Sequence, residues 1–249
     1  MKGIGLVCLA SLLAMPALAR AITAQAPLPQ TKPAWQARFV ATRQQARAHP
    51  PNLVFLGDSI VQELRNRQPE FGDINQVWRH DFACRGALNL GFSADTTGNA
   101  LWRITHGALA GTAPKLVVVM IGTNDLSPRW NATPAATAAG VRAVVAAVHA
   151  AVPGAHILVL GLLPRQKRNR PRRQANRILA RMPWATLGAT YRDIGSVLGE
   201  HGLPNPAYYR EANSYRPLLH PNAAGWARIA QAIAPDITSA LGQGNCGKS

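Results

Sequence analysis

Acidic residues are scarce in this sequence. Only 11 Asp and Glu stand against 27 Lys and Arg among 249 residues, which gives a formal net charge of +16 at pH 7. Such an excess favours anionic partners, such as phosphates or anionic polymers, over cationic ones. The basic residues are not interleaved with aromatic side chains, and no nucleic-acid-binding motif accompanies them. We therefore expect no specific binding to nucleic acid.

Cysteine is rarer still. The three cysteines, Cys8, Cys84 and Cys246, have no metal-ligand spacing, which argues against a cysteine-based metal site. Cys8 lies in the apolar N-terminal stretch described next. In an oxidising compartment the other two would either form a disulfide that ties the C-terminal tail to the domain or stay as free thiols. The sequence leaves both alternatives open.

Long apolar runs are missing except at the N-terminus. Residues 4–18 are apolar or small after Lys2, and residues 17–19 have the small-x-small pattern of a signal-peptidase site. The run is short for a membrane span, which needs about 20 residues; an uncleaved anchor is the alternative. We predict that residues 1–19 are a signal peptide and that the mature protein is exported, either to a periplasm or out of the cell.

The rest of the chain divides into three parts. Residues 20–51 are rich in proline and are predicted to form a linker and one helix, in which Trp35 and Phe39 pack on the main body. The length of residues 52–241 suits a single α/β domain. Residues 242–249 form a tail, and the sequence contains no internal repeat.

Apolar runs typical of buried strands alternate with helical patterns in the predicted domain. Strands separated by helices of about 10–20 residues indicate a doubly wound parallel sheet. Thr133 before Pro134 is typical of an N-cap followed by proline in the first helical turn. The predicted strands are residues 53–56, 87–90, 115–121, 156–162 and 189–194, and the predicted helices are residues 97–109, 134–152, a basic segment ending near 181, and 222–241.

Four strand or helix ends carry residues suited to acyl transfer. Ser59 follows the first strand and would begin a helix, which places it as a nucleophile. His220, just before the last helix, is the candidate base. The backbone N–H groups of Ser59 and Gly91, with the side-chain amide of Asn124, would donate hydrogen bonds to an oxyanion. Each residue alone also suits a turn or a cap, but the combination favours a catalytic site.

Three acids near these ends are predicted to be structural. Asp58 is expected to accept backbone hydrogen bonds and hold the turn before Ser59. Asp95 and Asp125 are given the same kind of role.

These residues resemble a known family. The stretch 57–59, Gly91, Gly122 with Asn124, and His220 match in order the four sequence blocks of the SGNH (GDSL-type) hydrolases. The wider similarity is to the platelet-activating-factor acetylhydrolase catalytic-subunit branch, and it covers residues 50–240. It rests on residues 88–97, 101–103, 106–107, 122–124 and 161–165. The resemblance implies a three-layer α/β/α flavodoxin-like fold and hydrolysis of short acyl esters through a serine acyl-enzyme, without a metal or other cofactor.

The sequence departs from the family at one position. The family usually carries an Asp three residues before its histidine, where this chain has Pro217. Losing the orienting carboxylate of a catalytic triad costs roughly 10⁴-fold in kcat. Three outcomes stay open: a backbone carbonyl orients His220, a carboxylate from elsewhere does so, with Glu211 and Asp193 as candidates, or hydrolysis has been lost.

Function is therefore predicted with alternatives. The leading hypothesis is an exported esterase that removes a short acyl group, most simply acetyl, from a saccharide or lipid ester. The alternatives are a binding protein without catalysis, for anionic glycans or lipids at the cell envelope, and an acyltransferase using the same serine. A basic segment suits contact with an anionic polymer, although a solvated surface explains it as well. Its residues are Arg165, Lys167, Arg168, Arg170, Arg172 and Arg173.

Overall fold

Five short, almost fully apolar segments form the centre of the molecule. In the computed structural model, which describes residues 26–65, 72–213 and 216–243, they make one parallel sheet in the order β2-β1-β3-β4-β5. This order is that of flavodoxin-like folds, and the predicted α/β architecture is confirmed. The strands are β1 (Leu53–Gly57), β2 (Ala87–Gly91), β3 (Leu116–Met120), β4 (His156–Leu160) and β5 (Ala189–Arg192).

Helices cover both faces of the sheet. They are α1 (Pro33–Ala48), α2 (Ser59–Gln62), α3 (Ile74–Val77), α4 (Thr97–Thr105), α5 (Pro134–Ala151), α6 (Asn169–Leu179) and α7 (Ala223–Leu241). A π-helical turn, Trp78–Phe82, follows α3, and a small antiparallel pair, β6 (Gly199–Glu200) and β7 (Leu203–Pro204), lies outside the main sheet.

Alternating side chains of each strand divide the core into two layers. On β1, Val54 and Leu56 pack with α1, α4 and α5, whereas Leu53 and Phe55 pack with α3 and α7. Because both faces are covered, every residue of β1 is buried. The result is the three-layer α/β/α arrangement that the sequence predicts.

The helix starts follow local capping chemistry. Thr133 Oγ1 accepts from Ala136 N at 3.1 Å, which confirms the predicted N-cap of α5. Asn222 Oδ1 accepts from Gly225 N at 2.9 Å and caps α7. His220 is therefore not the cap of the last helix and is available for other contacts.

Helix α5 is long and apolar enough to span a membrane by length and composition. Its apolar side is nevertheless buried against the sheet, where Val141, Val144, Val145 and Val148 pack in the same core layer as β1. It therefore packs as a core helix of the domain.

Several predictions concern residues outside the described ranges. The predicted signal peptide, residues 1–19, is among them, as are Cys246 and most of the C-terminal tail. Cys84 is disulfide-bonded and so is not a free thiol. Both of the other cysteines, Cys8 and Cys246, lie outside the described residues.

Candidate active site

The first residue of α2 lies where β1 ends between its two neighbouring strands. Gly57 is required there, because a Cβ would lie 2.4 Å from Val61 Cγ2 and 2.5 Å from Met120 O. Asp58 caps the helix, its Oδ1 accepting from Ile60 N at 2.9 Å. The tight turn leaves Ser59 half-buried at the carboxyl end of the sheet, at the point where the strand order reverses.

Ser59 is the first member of a hydrogen-bonded chain of three side chains. Its Oγ lies 3.0 Å from His220 Nε2. The other ring nitrogen, Nδ1, lies 2.6 Å from Glu211 Oε1. The arrangement of a hydroxyl, an imidazole and a carboxylate in series is the geometry required to activate a serine.

Glu211 reaches His220 because the chain folds back on itself. A 3₁₀ turn, Arg210–Asn213, carries the acid, and Arg210 N donates to His220 O at 3.0 Å across the fold. Glu211 Oε2 accepts from Leu219 N at 3.3 Å and from His220 N at 3.1 Å. The carboxylate thus fixes both the ring and the backbone of the histidine.

These contacts set the charge of the acid. Burial alone would raise the pKa of Glu211, but hydrogen bonds from the His220 ring and backbone outweigh it and hold the pKa below its usual value. Glu211 is therefore a carboxylate at neutral pH, and it accepts a hydrogen bond from the protonated Nδ1. The Nε2 atom is left as an acceptor for the Ser59 hydroxyl proton.

The second acid considered from the sequence, Asp193, lies elsewhere. It is exposed after β5, where its Oδ1 accepts from Gly195 N at 2.8 Å. Of the three arrangements left open by Pro217, the structure has the one in which Glu211, six residues before that proline, contacts the histidine.

The predicted oxyanion donors need one correction. Gly91 N–H already donates to Asn89 Oδ1 at 2.9 Å, and a Cβ at this glycine would lie 2.1 Å from Gln62 N. Gly91 is thus a glycine because α2 passes close to β2, and we withdraw it from the donors. Asn124 donates through Nδ2 to Asp95 O at 2.8 Å, which fixes its amide and leaves one N–H for a ligand.

Ala94 was not identified from the sequence. It is a non-glycine residue at φ 64°, in the exposed turn after β2. Within the described residues its N–H has no acceptor. It shares the wall of a cavity with Asn124. Alanine seldom adopts this conformation, so no sequence signal indicates it.

Comparison with known proteins bears on the same residues. The sequence model of the GDSL-like lipase/acylhydrolase family matches residues 55–228, a range that contains Ser59, Asn124, Glu211 and His220. The chain belongs to this family. The GDSL-like domain thus spans β1 to the first part of α7.

Relatives of the GDSL-like domain include two acetylhydrolase subunits. The chain is 38% identical over 126 residues to platelet-activating factor acetylhydrolase IB subunit alpha2 of Gallus gallus, covering 51% of this chain and 50% of the relative. It is 38% identical over 140 residues to subunit alpha1 of Rattus norvegicus, covering 56% and 54%. The chain therefore matches about half the length of these curated relatives.

Solved structures agree on the fold. A GDSL-like lipase from Bacteroides thetaiotaomicron superposes with a TM-score of 0.63 at 20% identity, covering 82% of this chain and 98% of that one. The shared fold is the α/β sandwich described above.

A second carboxylate of the GDSL-like domain, Glu63, also faces the histidine. Its Oε1 lies 3.9 Å from His220 Nε2. Arg210 pairs with both acids: Nη1 lies 3.0 Å from Glu63 Oε2, and Nε lies 3.4 Å from Glu211 Oε1. Burial raises the pKa of Glu63, while His220 and Arg210 oppose the rise. Its position four residues after Ser59, one helical turn on, is the signal that sequence reasoning passed over.

The acids predicted to be structural are all buried. Asp95 pairs with Arg103 at 2.8 Å, and both side chains are fully buried. Trp35 Nε1 donates to Asp95 Oδ1 at 2.7 Å, a contact that the helical spacing of Trp35 could not show. Asp125 accepts from the Thr97 backbone at 3.0 Å. Burial raises the pKa of Asp58 to about 7, against the Ile60 hydrogen bond and the nearby His220.

The basic segment needs a second correction. Arg165 is buried and donates through Nη1 to Thr123 O at 2.8 Å. Arg172 is also buried, and its guanidinium donates to Gly202 O at 3.1 Å. Neither can contact a polymer, because each guanidinium satisfies backbone carbonyls of its own domain. The exposed members of the segment are Lys167, Arg168, Arg170 and Arg173.

No group of three or more His, Cys, Asp or Glu side chains that could hold a metal ion occurs among residues 26–65, 72–213 and 216–243. The implied independence from cofactors stays a prediction.

Proposed function

We propose that this protein is a serine ester hydrolase that removes a short acyl group, most simply acetyl, from a small ester. The observation that supports the proposal is the chain from Ser59 Oγ through His220 to Glu211, with contacts of 3.0 and 2.6 Å. The relatives carry the name acetylhydrolase, which agrees with a two-carbon acyl group.

The mechanism has two displacements. Ser59 Oγ attacks the ester carbonyl carbon while His220 Nε2 takes its proton, and the carbonyl oxygen becomes an oxyanion. His220 then gives this proton to the departing alcohol oxygen, leaving an acyl-serine. Water attacks the acyl-serine as His220 takes a proton, and the collapse of the second oxyanion returns the proton to Ser59 and releases the acid.

Three N–H groups would hold the oxyanion. The Ser59 backbone N–H stands at the start of α2, and Asn124 offers the amide proton that Asp95 O does not use. We add the N–H of Ala94, because its left-handed conformation leaves that donor without an acceptor in the described chain. Donors fixed before the reaction stabilise a developing negative charge without reorganising.

Glu211 takes the role that the family gives to an Asp nearer the histidine. Its carboxylate keeps the proton on Nδ1 and stabilises the imidazolium formed during each displacement. The hypothesis of a binding protein without catalysis was motivated by Pro217. We do not favour it, because the Glu211 carboxylate contacts the His220 ring although the position of the usual Asp is a proline.

Location and substrate class are further parts of the proposal. Residues 1–19 have the pattern of a signal peptide, so we propose that the protein is exported and meets esters of the cell envelope. Among these esters we propose acetylated saccharides as the first substrate class and simple lipid esters as the second. The exposed members of the basic segment, such as Arg170 and Arg173, remain candidates for contact with an anionic polymer.

The test is the rate of 4-nitrophenyl acetate hydrolysis by the full chain and two variants. Ser59→Ala and His220→Ala are each expected to lower kcat by at least about 10³-fold, because the residues of such a unit act together. Ser196→Ala, at an exposed serine in another turn, is the matched control and should keep the full rate. Equal rates for Ser59→Ala and the unchanged protein would exclude the mechanism. Labelling of Ser59 by a fluorophosphonate separates an activated serine from a binding protein.

A further inference from the structure

A cavity of about 290 Å³ opens beside the proposed oxyanion donors. Ala94 and Asn124 line it, and so do residues 28–32, which precede α1 and which we call its N-terminal wall. We call it the side cavity. Its volume is near the lower end of ligand-binding cavities, roughly 300 Å³. An acetyl group does not need this space, whereas a ring carried on the alcohol part of an ester does.

The N-terminal wall of the side cavity is held in place by the domain. Leu28 N donates to Gly98 O at 2.9 Å, and Asn99 Nδ2 donates to Leu28 O at 2.6 Å. Gln30 Nε2 donates to the buried Asp95 at 2.8 Å. Asp95 also accepts, through its backbone oxygen, the hydrogen bond that fixes Asn124. The wall and the oxyanion donor therefore share one anchor, and the cavity is preformed.

The lining has the chemistry of a site for a polar, negatively charged ring. The Trp130 side chain, 36% exposed, offers an aromatic face, and the Arg129 guanidinium lies 5.5 Å from its centroid. Lys32 adds a second exposed cation. The lining residues, all from the described chain, include no Asp or Glu. Cations can bind a carboxylate through charge-assisted hydrogen bonds, and aromatic faces with a few polar groups are common in ligand sites.

We propose that the side cavity binds the alcohol part of the substrate and that this part is a carboxylate-bearing sugar, so that the ester is an O-acetylated uronic acid. Trp130 lies against the sugar ring, and Arg129 and Lys32 bind the carboxylate. The inference rests on the proposed esterase function, and it assigns to residues 28–32, outside the family match, a part in choosing the substrate.

The experiment compares three esters: ethyl acetate, whose alcohol part has no ring, an O-acetylated methyl glucoside and the matching O-acetylated methyl glucuronoside. Trp130→Ala should lower kcat/KM about tenfold for both sugar esters, as expected for the loss of an aromatic contact of this kind. Arg129→Gln should lower it about tenfold for the glucuronoside alone, because only that ester carries the charge. Both variants should hydrolyse ethyl acetate at the unchanged rate, because its alcohol part carries no ring and no charge. Arg177→Gln, at an exposed arginine of α6, is the matched charge control.

Calorimetry separates this inference from the esterase proposal. Methyl glucuronoside should bind to Ser59→Ala, which cannot turn over, and should bind about tenfold more weakly when Trp130→Ala is added. Binding without any hydrolysis by the unchanged protein would keep the side cavity and exclude the esterase. Hydrolysis of 4-nitrophenyl acetate with no selective loss in either variant would overturn the side-cavity proposal alone. An acetylated phospholipid is added as a fourth ester, and a loss of kcat/KM in the two variants for this lipid but for neither sugar ester would overturn the proposal as well.

Discussion

The Asp95–Arg103 pair and the Glu211–His220 pair are both short contacts between an acid and a base, at 2.8 and 2.6 Å. They differ in what surrounds them. Both side chains of the first pair are fully buried, and Arg103 also donates to Leu90 O at 3.1 Å. In the second pair, 14% of the His220 side chain is exposed, and its Nε2 atom contacts the Ser59 hydroxyl.

The contrast shows what separates a structural ion pair from a reactive one. The carboxylate oxygens of Asp95 accept hydrogen bonds from Gln30, Trp35 and Arg103. None of these contacts leads to a group that could react with a substrate. In the other pair His220 Nε2 contacts the Ser59 hydroxyl, so a proton can pass between these two groups while Glu211 keeps the proton on Nδ1. The contact distances are similar, and it is access to a reacting group that differs.

The largest expected effect comes from the reactive pair. Glu211→Gln keeps the size of the side chain but removes its charge, and it should lower kcat for 4-nitrophenyl acetate by roughly 10⁴-fold, since the wrong histidine tautomer is favoured. Asp193→Asn, the matched change at the other candidate acid, should leave kcat unchanged. Should Glu211→Gln keep more than about a tenth of the rate, a different group orients the histidine.

The structural pair should respond in stability. Arg103→Met leaves Asp95 as a buried charge without its partner, so the free energy of unfolding should fall by about 3–5 kcal/mol. Arg192→Met, which breaks the partly exposed Arg192–Asp236 contact of 2.8 Å, should cost less than about 1 kcal/mol. Urea unfolding measures both. Similar losses in the two variants would show that burial does not set the difference between the pairs.

Asp58, beside Ser59, gives a dependence on pH. Its pKa in the folded protein is raised to about 7 by burial, above the ordinary 3.8, so between these values the folded state holds a proton that the unfolded state does not. The free energy of unfolding should therefore fall as pH rises from about 4 to about 7, by at most about 1.4 kcal/mol per pH unit.

Asp58→Asn is the comparison for this dependence. The variant keeps an oxygen that can accept from Ile60 N, but it cannot ionise. Its free energy of unfolding should therefore not show the fall with rising pH that Asp58 causes. Urea unfolding at several pH values measures both proteins. Parallel curves for the two would show that Asp58 is ionised throughout in the folded state.

The smallest effect is expected at Glu63. Its carboxylate lies near the same histidine nitrogen as the serine hydroxyl, so it should favour the imidazolium of the transition state. Glu63→Gln should lower kcat by about tenfold with KM unchanged, a modest effect because Arg210 already offsets the charge. Glu200→Gln, at an exposed glutamate of β6, is the control. A change in KM alone would mean that Glu63 contacts the substrate instead.

Local patterns were enough to predict the sheet, because a buried strand is a short apolar run with a sharp end. They were also enough for the N-cap at Thr133, since a cap depends on residues within one helical turn. The site was predictable where it follows strand ends, as at Ser59 and Asn124. Glu211 remained one of two candidates because its contact depends on how residues 209–213 fold back on 219–221.

The features that sequence reasoning missed are a contact between distant segments and two details of local conformation. Trp35 bonds with Asp95, 60 residues away, and no periodicity carries that information. The engagement of the Gly91 N–H by Asn89 depends on a side-chain rotamer, and the left-handed conformation of Ala94 opposes the preference of its residue type. These features are set by tertiary packing, which overrides local preference.

Residues 28–48 have a structural role besides the proposed contact with substrate, because two of their side chains donate hydrogen bonds to Asp95. The match to the family model starts at residue 55, yet Gln30 and Trp35 complete the hydrogen bonding of an aspartate inside the matched range. The segment that must fold together therefore begins before the range that the family model matches. A chain trimmed to the boundaries of homology would keep every candidate catalytic residue and still lack the support beneath Asn124.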